Sequence, residues 1–124
     1  MARVLFVENN DDYRENLAIE LRQIGLEVLE ERLAEAAFSS LERCAPDLLL
    51  LDILMPAGEM NGIEVLARLR EHDHWRELPV IVLSGFGNHL NPDIMARLDV
   101  CAVLTKTDVT GTDVAQRIES VLRV

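Results

Sequence analysis

Short runs of apolar residues alternate with amphipathic stretches along almost the whole of this chain. Five runs read as strands: Val4 to Val7, Glu27 to Leu29, Asp47 to Leu51, Val80 to Leu83 and Val100 to Leu104. All but the second are apolar at nearly every position, as strands covered on both faces of a parallel sheet should be. Helical spacing fills the gaps. Tyr13, Leu17, Leu21 and Ile24 recur at intervals of four, four and three, and Gly25 follows as a C-terminal stop. Ala37, Leu41 and Cys44 share a less clearly marked face that Pro46 ends, and Ile63, Leu66 and Leu69 share another behind a turn at Asn61 and Gly62. Asn91 before Pro92 reads as a cap with proline at the first helical position. Val114, Ile118, Val121 and Leu122 mark a last helix that Asp108 or Thr112 is placed to cap. The expected architecture is α/β: a doubly wound (βα)5 domain with helices on both faces of a five-stranded parallel sheet.

Length and composition narrow the function classes. The 124 residues, 49% hydrophobic and 27% charged, suit one domain spanning 1–124. A formal net charge of -10 repels phosphate backbones and anionic lipid, so direct nucleic-acid binding and membrane-surface roles are not expected. A protein partner or a cation fits that charge better. Cys44 and Cys101 lie far apart, with no CxxC pair and no signal peptide before them, which points to a reducing cytoplasm. The longest apolar run, Val100 to Leu104, falls far short of the roughly 18 residues that a membrane helix needs. A soluble, cytoplasmic protein is therefore expected.

Open parallel sheets gather ligand chemistry at the carboxyl ends of their strands. The residues there form a chemically coherent set: Glu8 and Asn9 after the first strand, Asp52 after the third, Ser84 after the fourth, and Thr105 and Lys106 after the fifth. Acids, a hydroxyl and an amine around one carboxylate resemble a site for a divalent cation and a phosphoryl group. Each also has a plainer explanation. Asp52 can serve a turn, Glu8 and Asn9 can cap the helix beginning near Asp11, Ser84 can be an ordinary turn serine, and Lys106 alone can be a solvated lysine.

Four stretches carry a family resemblance: VLFVEN from Val4 to Asn9, LLDILMP from Leu50 to Pro56, PVIVLSG from Pro79 to Gly85, and LTK from Leu104 to Lys106. Together they resemble the receiver domains of two-component response regulators over essentially the whole chain. Spacing agrees as well as wording, with Arg14 six residues after Glu8 and Asn61-Gly62 after the loop. The resemblance implies a flavodoxin-like strand order 2-1-3-4-5. It implies Asp52 as phosphoacceptor, with Ser84 and Lys106 contacting the incoming phosphoryl oxygens. Glu8, Asn9, Asp52 and the backbone carbonyl of Leu54 are implied as Mg2+ ligands. The implied donor is a sensor histidine kinase or phosphotransfer protein, and the implied recipient of the signal is a downstream protein or output domain, with a homodimer open to it. No enzymatic role is expected beyond the domain's own phosphoryl transfer and autodephosphorylation. The chain ends where the last receiver helix should end, so it is expected to be a stand-alone regulator or the receiver part of a longer one.

The departures from the family pattern are specific. Asn9 replaces the usual aspartate and should weaken Mg2+ binding. Val103 stands where a switch aromatic is common, and Thr107 replaces the proline that typically follows the lysine. The segment Ala57 to Met60 is about two residues longer than usual. Leu54 and Phe86, which flank the path of hydrolytic water in the family, are both bulky and apolar, predicting a long-lived phosphorylated form. An aspartate-nucleophile phosphatase would want a second aspartate where Leu54 stands. A nucleotide- or flavin-binding module would want a glycine-rich motif after a strand. The competing reading that survives is a pseudo-receiver, an interaction domain that signals without phosphorylation.

Overall fold

The computed structural model describes residues 2–53, 61–85 and 90–123. The elements run β1 (Arg3–Val7), α1 (Asp11–Ile24), β2 (Glu27–Glu31), α2 (Ala37–Cys44), β3 (Leu48–Leu51), α3 (Gly62–Glu71), β4 (Val80–Ser84), α4 (Pro92–Arg97), β5 (Ala102–Thr105) and α5 (Gly111–Leu122), with a 3-10 turn over Ala34–Ala36 leading into α2. The strands form one parallel sheet in the order β2-β1-β3-β4-β5.

Alternation along the strands divides the core in two. Val4, Phe6, Leu48, Leu50, Ile81, Leu83, Ala102 and Leu104 face α1 and α5, where Leu17, Leu21, Val114 and Ile118 meet them. Leu5, Val7, Leu49, Leu51, Val80 and Val82 face the other way, onto Ala37 and Leu41 of α2, Val65, Leu66 and Leu69 of α3, and Met95 of α4. This two-sided burial is why β3 is four consecutive leucines, all fully buried.

Several expected boundaries shift, each for a local reason. β3 begins at Leu48, because the Asp47 carboxylate turns back to accept from the Arg3 backbone N–H at 2.8 Å. β5 begins at Ala102, since Val100 N–H closes a turn onto the Met95 carbonyl. β2 continues to Glu31, beyond its apolar part, because Glu30 and Glu31 find polar partners in Arg14, Arg22 and Ser40. Ile24 shared the expected core face of α1 but is 44% exposed. Gly25, at φ 114°, takes the left-handed C-cap there and ends the helix before its last turn can bury that face. The α5 cap is Thr110, not Asp108 or Thr112: its hydroxyl accepts from Asp113 N–H while the Asp113 carboxylate accepts from Thr110 N–H, a reciprocal capping box.

At the edge of the sheet where the strands begin, the Arg70 guanidinium ties the α3–β4 link to the α4–β5 link. It donates to the carbonyls of Trp75, Arg76, Leu78, Leu98 and Asp99 at 2.7–3.2 Å. No helix among the described residues is long and apolar enough to cross a membrane.

Candidate functional site

At the opposite edge, where the strands end, the sheet's own hydrogen bonding carries three candidate residues one step beyond their strands. Glu8 N–H donates to the Glu31 carbonyl at 3.0 Å, Asp52 N–H to the Val7 carbonyl at 3.0 Å, and Lys106 N–H to the Ser84 carbonyl at 2.8 Å. Their backbones are thus held with the rigidity of the ladder although their side chains are polar. Glu8, Asp52 and Ser84 are buried, at 1%, 4% and 0% exposure.

Burial of two carboxylates side by side is costly unless a cation joins them. Lys106 supplies it. Its Nζ lies 2.5 Å from Glu8 Oε1 and 3.3 Å from Asp52 Oδ2, and its side chain is only 18% exposed. Glu8 Oε2 accepts from Asn10 N–H at 3.0 Å. Glu8 Oε1, though close to the ammonium, is off the angle of a hydrogen bond and keeps unused acceptor capacity.

The loop between β1 and α1 is fixed from both ends. Asn10, not Asn9, caps α1: its side-chain oxygen accepts from Tyr13 N–H at 3.0 Å. That removes the capping explanation for Asn9, which sits half-buried between Glu8 and the cap. Arg14, 8% exposed, donates to the Glu8 carbonyl at 3.0 Å, and its guanidinium also meets Asp11 at 2.8 Å and Glu30 at 3.1 Å. Asn61 caps α3 by accepting from Glu64 N–H at 3.0 Å. Gly62 N–H then donates to the Ile53 carbonyl at 3.3 Å, bringing the start of α3 against the backbone beside Asp52.

One participant was not singled out for the site in the sequence. Tyr13 looked like the first member of α1's core-facing stripe, yet its ring lies under Lys106, with Nζ 4.7 Å from the ring centroid. The phenol is pushed up to about 12, first by burial and then by the negative charges of Glu8, Asp52 and Glu20. No spacing rule links two residues 93 positions apart, so only the folded sheet shows the pair.

The expected set is therefore largely assembled: Glu8, Asn9, Asp52, Ser84 and Lys106 all lie at the carboxyl edge. Leu54, with its implied carbonyl ligand, and Phe86 lie outside the described residues, as does the longer Ala57 to Met60 segment. Among the described residues no group of three or more His, Cys, Asp or Glu side chains is arranged to hold a metal. Mg2+ does not require one, since it is commonly held by one or two carboxylates and keeps several waters. Two buried carboxylates, an amide beside them and an underused Glu8 oxygen are hard oxygen donors that fit such an ion.

A doubly wound parallel sheet with a carboxylate pair and a lysine at the ends of its strands defines the class: a flavodoxin-like domain with a buried aspartate at the end of its central strand. The family model for the response regulator receiver domain matches residues 4–119, and the chain belongs to that family. The response regulator receiver protein CpdR of Brucella abortus is 36% identical over 107 residues, covering 86% of this chain and 85% of CpdR. The phosphate regulon transcriptional regulatory protein PhoB of Escherichia coli is 33% identical over 85 residues; these cover 68% of this chain and 36% of PhoB, so the match spans about a third of that relative's length. Among solved structures, the BeF3-activated N-terminal receiver domain of Klebsiella pneumoniae RstA shares the fold at TM-score 0.86 and 24% identity, covering 98% of this chain and 99% of that one. The Mn2+-bound form of response regulator Rcp1 is similar at TM-score 0.76 and 26% identity, covering 97% and 93%.

Proposed function

We propose that this receiver domain takes a phosphoryl group onto Asp52 from a sensor histidine kinase or phosphotransfer protein and, once modified, changes its affinity for a downstream protein or output domain. The observation that carries this reading is the placement of the Asp52 carboxylate, 4% exposed at the end of the central strand, with the Lys106 ammonium 3.3 Å away. Burial there costs an aspartate its hydration, a cost that one at the surface avoids. An acceptor gains a fixed backbone and a cation already in place.

Phosphoryl transfer asks a protein mainly for positioning and charge neutralisation. An Asp52 oxygen forms the new P–O bond as the P–N bond to the donor imidazole breaks, and the imidazole leaves with the electron pair and takes up a proton. Lys106 answers the charge that gathers on the phosphoryl oxygens. Ser84, buried at the end of β4, offers a hydroxyl for one of those oxygens once transfer is complete. Glu8, Asn9 and Asp52 would hold Mg2+, which supplies further charge neutralisation when bound; the likeness to the Mn2+-bound form of Rcp1 supports a divalent ion bound to this kind of domain. The domain has no enzymatic role beyond its own phosphoryl transfer and loss, and it acts in the cytoplasm, where such donors reside.

Intact-mass spectrometry after incubation with acetyl phosphate and Mg2+ tests the reading. The wild type is expected to gain the mass of one phosphoryl group and Asp52→Asn none. A wild type that gains no mass, or an Asp52→Asn variant that gains it at the same rate, overturns the acceptor assignment. The first of these outcomes turns the reading to partner binding without phosphorylation.

A further inference from the structure

We propose that Tyr13 is a positioning residue whose ring holds the Lys106 ammonium at the acceptor carboxylate, an inference that rests on the phosphoacceptor reading above. The ammonium is bounded by Glu8 Oε1 at 2.5 Å, Asp52 Oδ2 at 3.3 Å and the Tyr13 ring centroid at 4.7 Å. The two carboxylates are the groups that a divalent ion and a phosphoryl group engage. As they are recruited, their hold on the lysine weakens, and the ring is the contact that does not change.

An aromatic face suits that task better than a third carboxylate. It attracts a cation through its quadrupole, so it adds no net charge to a site already holding two buried acids. It also takes up little of the ammonium's hydrogen-bonding capacity, leaving the three N–H donors for phosphoryl oxygens. The ring's position does not depend on the lysine. Tyr13 N–H is anchored on Asn10 Oδ1 at 3.0 Å, the next residue, Arg14, grips the Glu8 carbonyl at 3.0 Å, and the Tyr13 side chain packs against the core cluster beneath α1 and α5. The first turn of α1 is thereby locked to the same loop that presents Glu8.

Two readouts on wild type, Tyr13→Phe and Tyr13→Leu test this. Tyr13→Phe keeps the ring and Tyr13→Leu removes it; Tyr13→Met repeats the comparison should the leucine variant fold poorly. The first readout is the NMR shift of the Lys106 ε-methylene protons, displaced upfield by an overlying ring. Displacement is expected in wild type and Tyr13→Phe and lost in Tyr13→Leu. The second is the limiting rate of mass gain from acetyl phosphate. That rate should fall about fivefold in Tyr13→Leu and stay within about twofold of wild type in Tyr13→Phe. A Tyr13→Leu variant with unchanged Lys106 shifts, or with the wild-type rate, overturns the proposal, as does a Tyr13→Phe variant as slow as Tyr13→Leu. Should the wild type take up no phosphate, the acceptor reading fails by itself. The proton shifts then decide alone whether the ring holds the lysine.

Discussion

Gly62 is pressed against Ile53: a Cβ on Gly62 would lie 2.6 Å from the Ile53 Cα and 2.9 Å from the Asp52 carbonyl oxygen. Both obstacles are backbone, so neither can swing aside. Only glycine lets the start of α3 approach the Asp52 backbone this closely, and the Asn61 cap fixes the angle of that approach.

Gly62→Ala should therefore force α3 away from the end of β3. Overpacking of this kind costs about 2 kcal/mol, read as a lower denaturant midpoint. Because the strain falls on Asp52, the proposed acceptor, phosphoryl uptake should slow as well. An alanine variant with wild-type stability and wild-type uptake would show that the two backbones part without consequence.

Lys106→Ala removes the ammonium that joins Glu8 to Asp52, two carboxylates that are both buried. A lysine acting solely on a phosphoryl group would have little effect on the unmodified domain. The 2.5 Å contact with Glu8 argues otherwise. Loss of about 2 kcal/mol is expected in metal-free buffer, and Mg2+ should restore part of it by replacing the missing charge. Thermal melts with Mg2+ and with chelator check both statements, and equal melting of variant and wild type in chelator would contradict the first.

Asn9→Asp should tighten Mg2+ binding about tenfold, a net gain of roughly 1–2 kcal/mol after the extra cost of dehydrating a carboxylate. Without metal, the same change adds a third acid beside Glu8 and Asp52 and should lower stability. Calorimetric titration is the suitable measurement. Trp75 lies in the α3–β4 link at the far edge of the sheet, so its fluorescence is a poor reporter of this site. Equal affinities in the two proteins would remove Asn9 from the ligand set.

Tyr13 gives a prediction at alkaline pH. Its folded pKa is raised to about 12 from the ordinary 10.0, by burial first and then by the charges of Glu8, Asp52 and Glu20. The folded state thus holds the phenolic proton more tightly than the unfolded chain does. The associated stability is fully present below pH 10, is lost as pH rises from about 10 to about 12, and changes no further above that. Tyr13→Phe should flatten this part of the stability profile. A wild-type phenol that ionises near pH 10, followed by absorbance, would contradict it.

The strands were legible because burial on both faces leaves no room for polar residues, and β3 and β4 announce themselves as unbroken apolar runs. β2 was half legible, since Glu30 and Glu31 are satisfied by Arg14, Arg22 and Ser40, partners that no local pattern names. The same limit governs the site. Its members could be gathered from the rule that places chemistry at strand ends, but Asn9 and Asn10 are chemically alike and adjacent, and only the backbone decides which one caps. Tyr13 was read correctly as a core-facing residue but only in part, for a related reason: helical periodicity reports a face, and here one face serves both the core and the lysine.

The way Arg70 is held has a consequence for how the domain responds to salt. Its five partners are backbone carbonyls, dipoles fixed by the chain, so the clamp between the α3–β4 and α4–β5 links does not rest on a paired carboxylate. The opposite edge is bound by ion pairs: Glu8 and Asp52 on Lys106, Asp11 and Glu30 on Arg14. Added salt screens such pairs, most of all the exposed Asp11, and has less to act on at the clamp. Amide exchange in high salt should therefore rise first in the β1–α1 loop and last around Arg70.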